Sequence, residues 1–327
     1  MPRPSPGTAH ARENLCKLDH EALNMDYVYL LLGLVGLFAG GEALVRGSVG
    51  IARRLSLSPL LIGLTVVGFG TSTPELLVSV DAAWRGVPDI ALGNVIGSNT
   101  ANILLIAGLS ALVWPIRVAG GTLKRDTAVM VLAAAALVPI FVFAPVGRIS
   151  GLLLVACLVA YLAWAYFSPG ENVEEEAPAA STLVSVLWVV AGLVALVFGA
   201  RFLVDGAVSI ARSFGLSEAF IGLSIVAIGT SLPELATSLV AAIRRQSEIA
   251  VGNIVGSNIF NVLGILGITA VIMPIPVAPR FLTFDLPVMI AVSLILTALL
   301  LTRPVIGRGT GAVMLAGYAA YLWAAQG

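Results

Sequence analysis

Hydrophobic positions dominate this chain in runs of twenty residues and more, separated by short polar breaks. A bilayer-crossing helix needs about 20 mostly apolar residues. On that criterion ten spans are predicted, over 27–52, 58–84, 89–114, 124–145, 149–167, 182–211, 217–243, 248–273, 281–302 and 307–325. Two segments break the pattern. Residues 1–25 form a polar leader without the apolar core or cleavage site of a signal peptide. It is either a disordered tail or an extension upstream of a natural start at Met25. Residues 168–181, SPGENVEEEAPAAS, hold Pro, Gly and four glutamates and read as a solvated linker. The expected class is an all-α polytopic membrane protein, with five spans in 26–167 and five in 182–327.

The two halves repeat each other. Displaced by 159 residues, positions 37–118 lie on 196–277 without a gap, and 40 of the 82 pairs are identical. LVRGSVGIAR at 44–53 matches LVDGAVSIAR at 203–212, and GNVIGSNTANILLI at 93–106 matches GNIVGSNIFNVLGI at 252–265. An odd number of spans per unit forces consecutive units into opposite orientations, an inverted-topology repeat of the kind secondary transporters use. With the N-terminus outside, inner loops hold Arg53, Arg54, Arg117, Lys124, Arg125, Arg244, Arg245, Arg303 and Arg308. Outer loops hold only Arg85, Arg148, Arg212 and Arg280. The positive-inside rule then places both termini outside and the linker in the cytoplasm. Arg3, Arg12 and Lys17 of the leader pull against that assignment.

Composition narrows the chemistry. The chain is 58 % hydrophobic and 11 % charged, with mean hydropathy +1.00 and no net charge, so it offers no basic field for nucleic acid. Cys16 and Cys157 are too separated in context for a disulfide framework or a thiolate metal site. His10 and His20 both lie in the leader, so no histidine stands at membrane depth. No HExxH, protease-type aspartate pair or nucleophile–base pair is present, which argues against an enzyme.

Against this background GTSTPELLVSV at 70–80 and GTSLPELATSL at 229–239 are anomalous. A carboxylate at the bilayer centre costs several kcal/mol unless it meets a partner or lines a cavity. Pro74 and Pro233 remove a backbone donor one residue before Glu75 and Glu234, and Gly68, Gly70 and Gly229 loosen the same turns. A helix broken at mid-membrane is tolerated where it lines a site. Thr71, Ser72, Glu75 and Ser79, repeated as Thr230, Ser231, Glu234 and Ser238, are hard oxygen donors suited to Na⁺ and Ca²⁺. Ser98 and Asn102 follow Glu75 by 23 and 27 residues, as Ser257 and Asn261 follow Glu234. Two broken helices meeting at the midplane would build one cage of two carboxylates, two amides and several hydroxyls and carbonyls. A lone membrane Ser or Thr more often bonds its own turn. The glycines Gly93, Gly97, Gly252 and Gly256 equally suit close helix packing. Glu42 with Arg46, and Arg201 with Asp205, are expected to pair along one helix or across two, as structural charges. Asp81, Asp126 and Asp285 lie near span ends and are expected to face water.

GTSTPE…GNVIGSNTANI and GTSLPE…GNIVGSNIFNV resemble the two α-repeats of the cation/Ca²⁺ exchanger superfamily, in particular prokaryotic Na⁺/Ca²⁺ exchangers. The resemblance spans nearly all of 26–327. It implies ten helices around a central ion cluster, with Glu75 and Glu234 as central ligands and Asn102 opposite Asn261. It further implies that Thr71, Ser72, Ser98, Thr230, Ser231 and Ser257 flank them, completed by the carbonyls of Gly68 and Ala227. Spans one and six would form the sliding pair. In the K⁺-dependent branch an aspartate accompanies K⁺ co-transport at the position of Asn261. The resemblance implies electrogenic exchange of three Na⁺ for one Ca²⁺, which asparagine at both 102 and 261 fits without K⁺, and the short linker implies no Ca²⁺-sensing domain. A Ca²⁺/H⁺ antiporter on the same scaffold is the alternative, and a channel is disfavoured by the matched broken helices. The expected partners are Na⁺, Ca²⁺ and the bilayer of the cell membrane, with no cofactor and a functional monomer.

Overall fold

The computed structural model describes residues 6–55, 57–117, 123–143, 146–168, 181–214 and 227–325, with side chains from Met25 onward except at Ala227. The expectations for the leader's side chains, for most of the linker and for 217–226 lie outside these residues. In chain order the elements are α1 (Pro6–Arg54), α2 (Pro59–Thr71), α3 (Thr73–Trp84), α4 (Pro88–Val113), β1 (Ile116–Arg117), α5 (Leu123–Phe143) and α6 (Arg148–Phe167). There follow α7 (Thr182–Ser213), α8 (Ala227–Gly229), α9 (Leu232–Ile243), α10 (Ser247–Ile272), α11 (Phe281–Thr302), β2 (Val305–Ile306) and α12 (Arg308–Ala325). Seven helices among the described residues are long and apolar enough to cross a membrane, and α2 with α3, counted as one bent span, makes eight. α9 is shorter, with 12 residues.

Burial sorts the helices into two layers. In α4 and α10, 78 % and 83 % of the most apolar window is buried, against 28 % in α6 and 33 % in α7. α4 and α10 are therefore the centre, and α6 and α7 turn Leu152, Leu153, Trp164, Leu187 and Val190 outward. An apolar shell of that extent is stable only against lipid. The largest core joins α4, α5, α6, α10 and α11 through Leu92, Ile96, Ile103, Leu137, Ile259 and Leu286.

α1 and α7 run antiparallel along a seam of glycines. Gly33, Gly40 and Gly47 on one side and Gly192, Gly199 and Gly206 on the other recur every seven residues. A Cβ on Gly40 would stand 2.8 Å from the Leu196 nitrogen, and one on Gly199 2.7 Å from the Leu37 nitrogen. Only glycine lets these backbones meet. The same close approach joins α10 to α2, where a Cβ on Gly252 would lie 2.6 Å from the Leu60 carbonyl. The packing reading of Gly252 and Gly256 thus holds.

Short strands tie loops together. Ile116 pairs with Ile306 and Arg117 with Val305, and a separate bridge joins Val146 to Ile275. Displaced by 159 residues Ile116 becomes Ile275, and displaced by 160, in step with Gly147–Arg148 and Gly307–Arg308, Val146 becomes Ile306, so the two bridges are equivalents.

Candidate ion-binding site

The helix breaks where the sequence indicated. α2 ends at Thr71, Ser72 takes φ −83° and ψ 10°, and α3 departs at 43°. In the second half Ser231, at φ −90° and ψ 7°, separates α8 from α9. The prolines work differently from expectation. Pro74 and Pro233 stand in the first turns of α3 and α9, where a missing N–H costs nothing and the fixed φ starts a helix. Gly70 and Gly229 serve proximity: a Cβ on Gly70 would lie 2.7 Å from Leu193, and one on Gly229 2.5 Å from Val204, both side chains of α7. Each new helix begins with a glutamate in its first turn, Glu75 or Glu234, where the positive end of the helix dipole favours a carboxylate.

The glutamates are buried, 1 % and 2 % exposed, and the halves meet through them. Ser72 donates its hydroxyl hydrogen to Glu234 Oε1 at 2.8 Å, and Ser231 donates to Glu75 Oε1 at 3.2 Å. Displacement by 159 residues exchanges one bond for the other. Ser231 also lies 3.4 Å from Ser98 Oγ, and Ser257 donates to the Gly68 carbonyl at 3.2 Å. Asn102 opens a π-helical turn in α4, and Asn261 lies in a longer one, Phe260–Leu266, in α10. Such turns recur at functional sites.

Four oxygens of these residues lack a donor. Glu75 Oε2, Glu234 Oε2, Asn102 Oδ1 and Asn261 Oδ1 are buried and accept no hydrogen bond from the described residues. A buried acceptor left bare costs about 1–3 kcal/mol, more when charged. Carboxylate and amide oxygens together suit a hard cation.

Thr71 donates to the Val67 carbonyl at 3.0 Å and to Asn253 Oδ1 at 3.1 Å. Thr230, half-buried, lies 3.5 Å from Asn94 Oδ1. Ala227 enters only as the backbone that opens α8. Ser79 and Ser238 accept from Asn94 Nδ2 at 2.9 Å and Asn253 Nδ2 at 2.8 Å. The same two amides hold the main-chain carbonyls of Glu75 and Glu234, at 3.0 Å and 3.2 Å. Asn94 and Asn253 are not among the expected site residues, and neither are Asn99 and Asn258. All four are identical across the repeat, and that identity is the signal that could have found them.

The charges away from Glu75 and Glu234 mostly depart from expectation. Glu42 pairs with neither Arg46 nor Arg201. Its carboxylate accepts both forks of Arg244, with Nε at 2.8 Å from Oε2 and Nη2 on Oε1. Arg46 instead lies over the Trp188 ring, 5.1 Å from its centroid. Arg201 and Asp205 form no ion pair among the described residues. Asp81 is exposed, as expected, and bonds Arg85 at 2.7 Å. Asp126 and Asp285 do not face water. Asp126 is fully buried under Arg125 at 2.6 Å and Tyr161 at 3.2 Å. Asp285, 5 % exposed, is held by Arg280 at 3.2 Å and Tyr321 at 3.1 Å. Each aspartate lies within one turn of a span end, but the neighbouring helix, α6 or α12, covers it.

Residues 25–168 and 184–326 match the sodium/calcium exchanger protein family. The chain belongs to that family. Sodium/calcium exchanger MaX1 of Methanosarcina acetivorans is 33 % identical over 92 % of this chain and 98 % of its own. The Ca²⁺/H⁺ antiporter ChaA of Bacillus subtilis is 28 % identical over 80 % of this chain and 81 % of its own. Among solved structures, the sodium–calcium exchanger NCX_Mj superposes with TM-score 0.81 at 35 % identity, covering 91 % of this chain and 98 % of that one. This exchanger-family chain is therefore a multi-pass cation/Ca²⁺ exchanger, a secondary transporter and not an enzyme.

Proposed function

We propose that the chain exchanges Na⁺ for Ca²⁺ by alternating access, three to one, electrogenically and without K⁺, as a monomer in the cell-membrane bilayer. The four bare buried oxygens of Glu75, Glu234, Asn102 and Asn261 carry this reading. They supply two negative charges and two neutral dipoles. Two charges balance one Ca²⁺ and leave one net positive charge with three Na⁺, so turnover would move charge. Among the described residues no third His, Cys, Asp or Glu joins the pair, and asparagine at 261 offers no extra charge for K⁺. Both cations need the same carboxylates, and that competition couples their fluxes. Thr71, Ser72, Ser98, Thr230, Ser231 and Ser257, with the Gly68 and Ala227 carbonyls, would complete the Na⁺ sites.

Ten spans in two inverted five-helix units, 26–167 and 182–327, accommodate the exchange symmetry of the serine–glutamate bonds and of the β-bridges. The distribution of Arg and Lys among the loops favours external termini and a cytoplasmic linker. Alternating access follows if α1 and α7 move against the rest. α1 packs along α9, with Gly41 against Ala236 and Val240, whereas α7 makes only slight contact with α3, the equivalent helix. That difference suits a cage sealed on the side of Glu42 and Arg244 and accessible on the other.

Uptake of ⁴⁵Ca²⁺ into proteoliposomes loaded with Na⁺, K⁺ or choline at symmetrical pH tests the reading. Uptake in Na⁺-loaded vesicles alone is expected. The likeness to a Ca²⁺/H⁺ antiporter defines the alternative. Uptake driven only by an imposed pH gradient would replace Na⁺ with H⁺.

A further inference from the structure

The main-chain carbonyl of Asn258 can only accept a hydrogen bond. The Asn99 side-chain atom 3.1 Å from it is the amide nitrogen. Asn99 Oδ1 therefore faces the other way, and it accepts from Asn261 Nδ2 at 2.9 Å. That bond uses the donor end of Asn261 and leaves its Oδ1 bare. In the other half, Asn102 Nδ2 donates to Asn258 Oδ1 at 3.2 Å and leaves Asn102 Oδ1 bare. Asn258 is steadied in turn by its own Nδ2, 3.6 Å from Met130 Sδ. Asn99 and Asn258 are 3 % and 1 % exposed and stand 159 residues apart, each reaching into the opposite half.

An asparagine amide has nearly the same shape either way round. Toward a cation the two ends are opposites, since the oxygen attracts and the NH₂ repels. An amide lining a cation cage must therefore be held in one orientation by groups outside it. We propose that Asn99 and Asn258 are positioning residues that lock Asn261 and Asn102 with their carbonyl oxygens toward the ions. The proposal rests on the ion-cage reading above.

A double-mutant cycle tests it. Equilibrium ⁴⁵Ca²⁺ binding is measured on the purified full-length protein in Na⁺-free detergent, for Asn99→Leu alone and in an Asn261→Asp background. A carboxylate at 261 presents an oxygen whichever way it turns and needs no orienting. Asn99→Leu alone is expected to weaken Ca²⁺ binding by about tenfold, the equivalent of one buried hydrogen bond to a polar group. Combined with Asn261→Asp, the same change is expected to cost less than about threefold. A merely structural bond from Asn99 to the Asn258 backbone would cost the same in both, so equal losses overturn the proposal. Asn258→Leu, with and without Asn102→Asp, repeats the test in the other half and decides it if Asn99→Leu does not fold. Glu75→Gln separates the two readings. Binding abolished by Glu75→Gln but untouched by Asn99→Leu overturns the positioning role alone. Wild-type binding that survives Glu75→Gln overturns the cage and the positioning role together.

Discussion

Glu42 on α1 and Arg244 at the end of α9 form a two-pronged ion pair across 202 residues of sequence. It fastens one of the two glycine-seamed helices to the helix that carries Glu234. The equivalents are Arg201 on α7 and Arg85 after α3, two like charges that would repel if those helices closed in the same way. In the alternating-access cycle proposed above, the pair would weigh on one side only. Half-exposed ion pairs contribute about 0.2–1 kcal/mol. Val240, 3 % exposed behind α1, reports the opening when replaced by cysteine in a cysteine-free background. Glu42→Gln is expected to speed its modification by a water-soluble thiol reagent by about two- to fivefold. An unchanged rate would mean that the pair does not hold α1 in place.

Removing either cage carboxylate should separate transport from folding. Glu75→Gln and Glu234→Gln are each expected to abolish Na⁺-driven ⁴⁵Ca²⁺ uptake. Without divalent ions the same variants should melt at or above the wild-type temperature, because a buried charge with no counter-charge is lost. Added Ca²⁺ should raise the melting temperature of the wild type and leave both variants unmoved. A variant that melts lower without ions and is still stabilised by Ca²⁺ would place the site elsewhere.

Ser72 and Ser231 each donate to the glutamate of the other half. A hydrogen bond to a charged group is worth about 1.5–3 kcal/mol. Ser72→Ala and Ser231→Ala should each weaken Ca²⁺ binding by roughly ten- to a hundredfold. The losses should be alike, because the two bonds are equivalents. A loss in one variant alone, read by equilibrium ⁴⁵Ca²⁺ binding, would show that the halves contribute unequally.

Much of this is legible in the chain because it is a repeat. Identity at a fixed displacement locates both helix breaks, both glutamates and the asparagines at 102 and 261. The misreadings concern partners that no local pattern encodes. Sequence spacing offers Glu42 neighbours along α1 and across to α7, but its partner lies on α9, brought near by packing. A place near a span end suggests that Asp126 and Asp285 face water, but Tyr161 and Tyr321 on adjacent helices cover them. Asn94, Asn99, Asn253 and Asn258 repeat as faithfully as the predicted ligands. They escape a reading of the sequence because a neutral amide signals its role only when its bonding partners are known.

The glycine seam can be probed directly. Gly199→Ala drives a Cβ into the α1 backbone, 2.7 Å from the Leu37 nitrogen. Backbone cannot yield as a flexible side chain does, and overpacking of this kind costs about 1–3 kcal/mol. Gly199→Ala is therefore expected to lower the melting temperature. Gly307→Ala, where a Cβ would meet nothing within 4 Å among the described residues, should not. Equal melting temperatures would mean that α1 and α7 separate at no cost.

The same seam has a mechanical consequence. Interlocked side chains give most helix pairs a corrugated interface, so axial motion must lift one residue over another. Between α1 and α7 the glycines recur every seven residues, and Leu203, Leu196 and Val189 of α7 seat against Gly33, Gly40 and Gly47 of α1. Such an interface is notched, so the two helices are keyed in one register and would be displaced as a unit. The resistance to that displacement then falls at the ends of the pair, in the loops and in contacts such as Glu42 with Arg244.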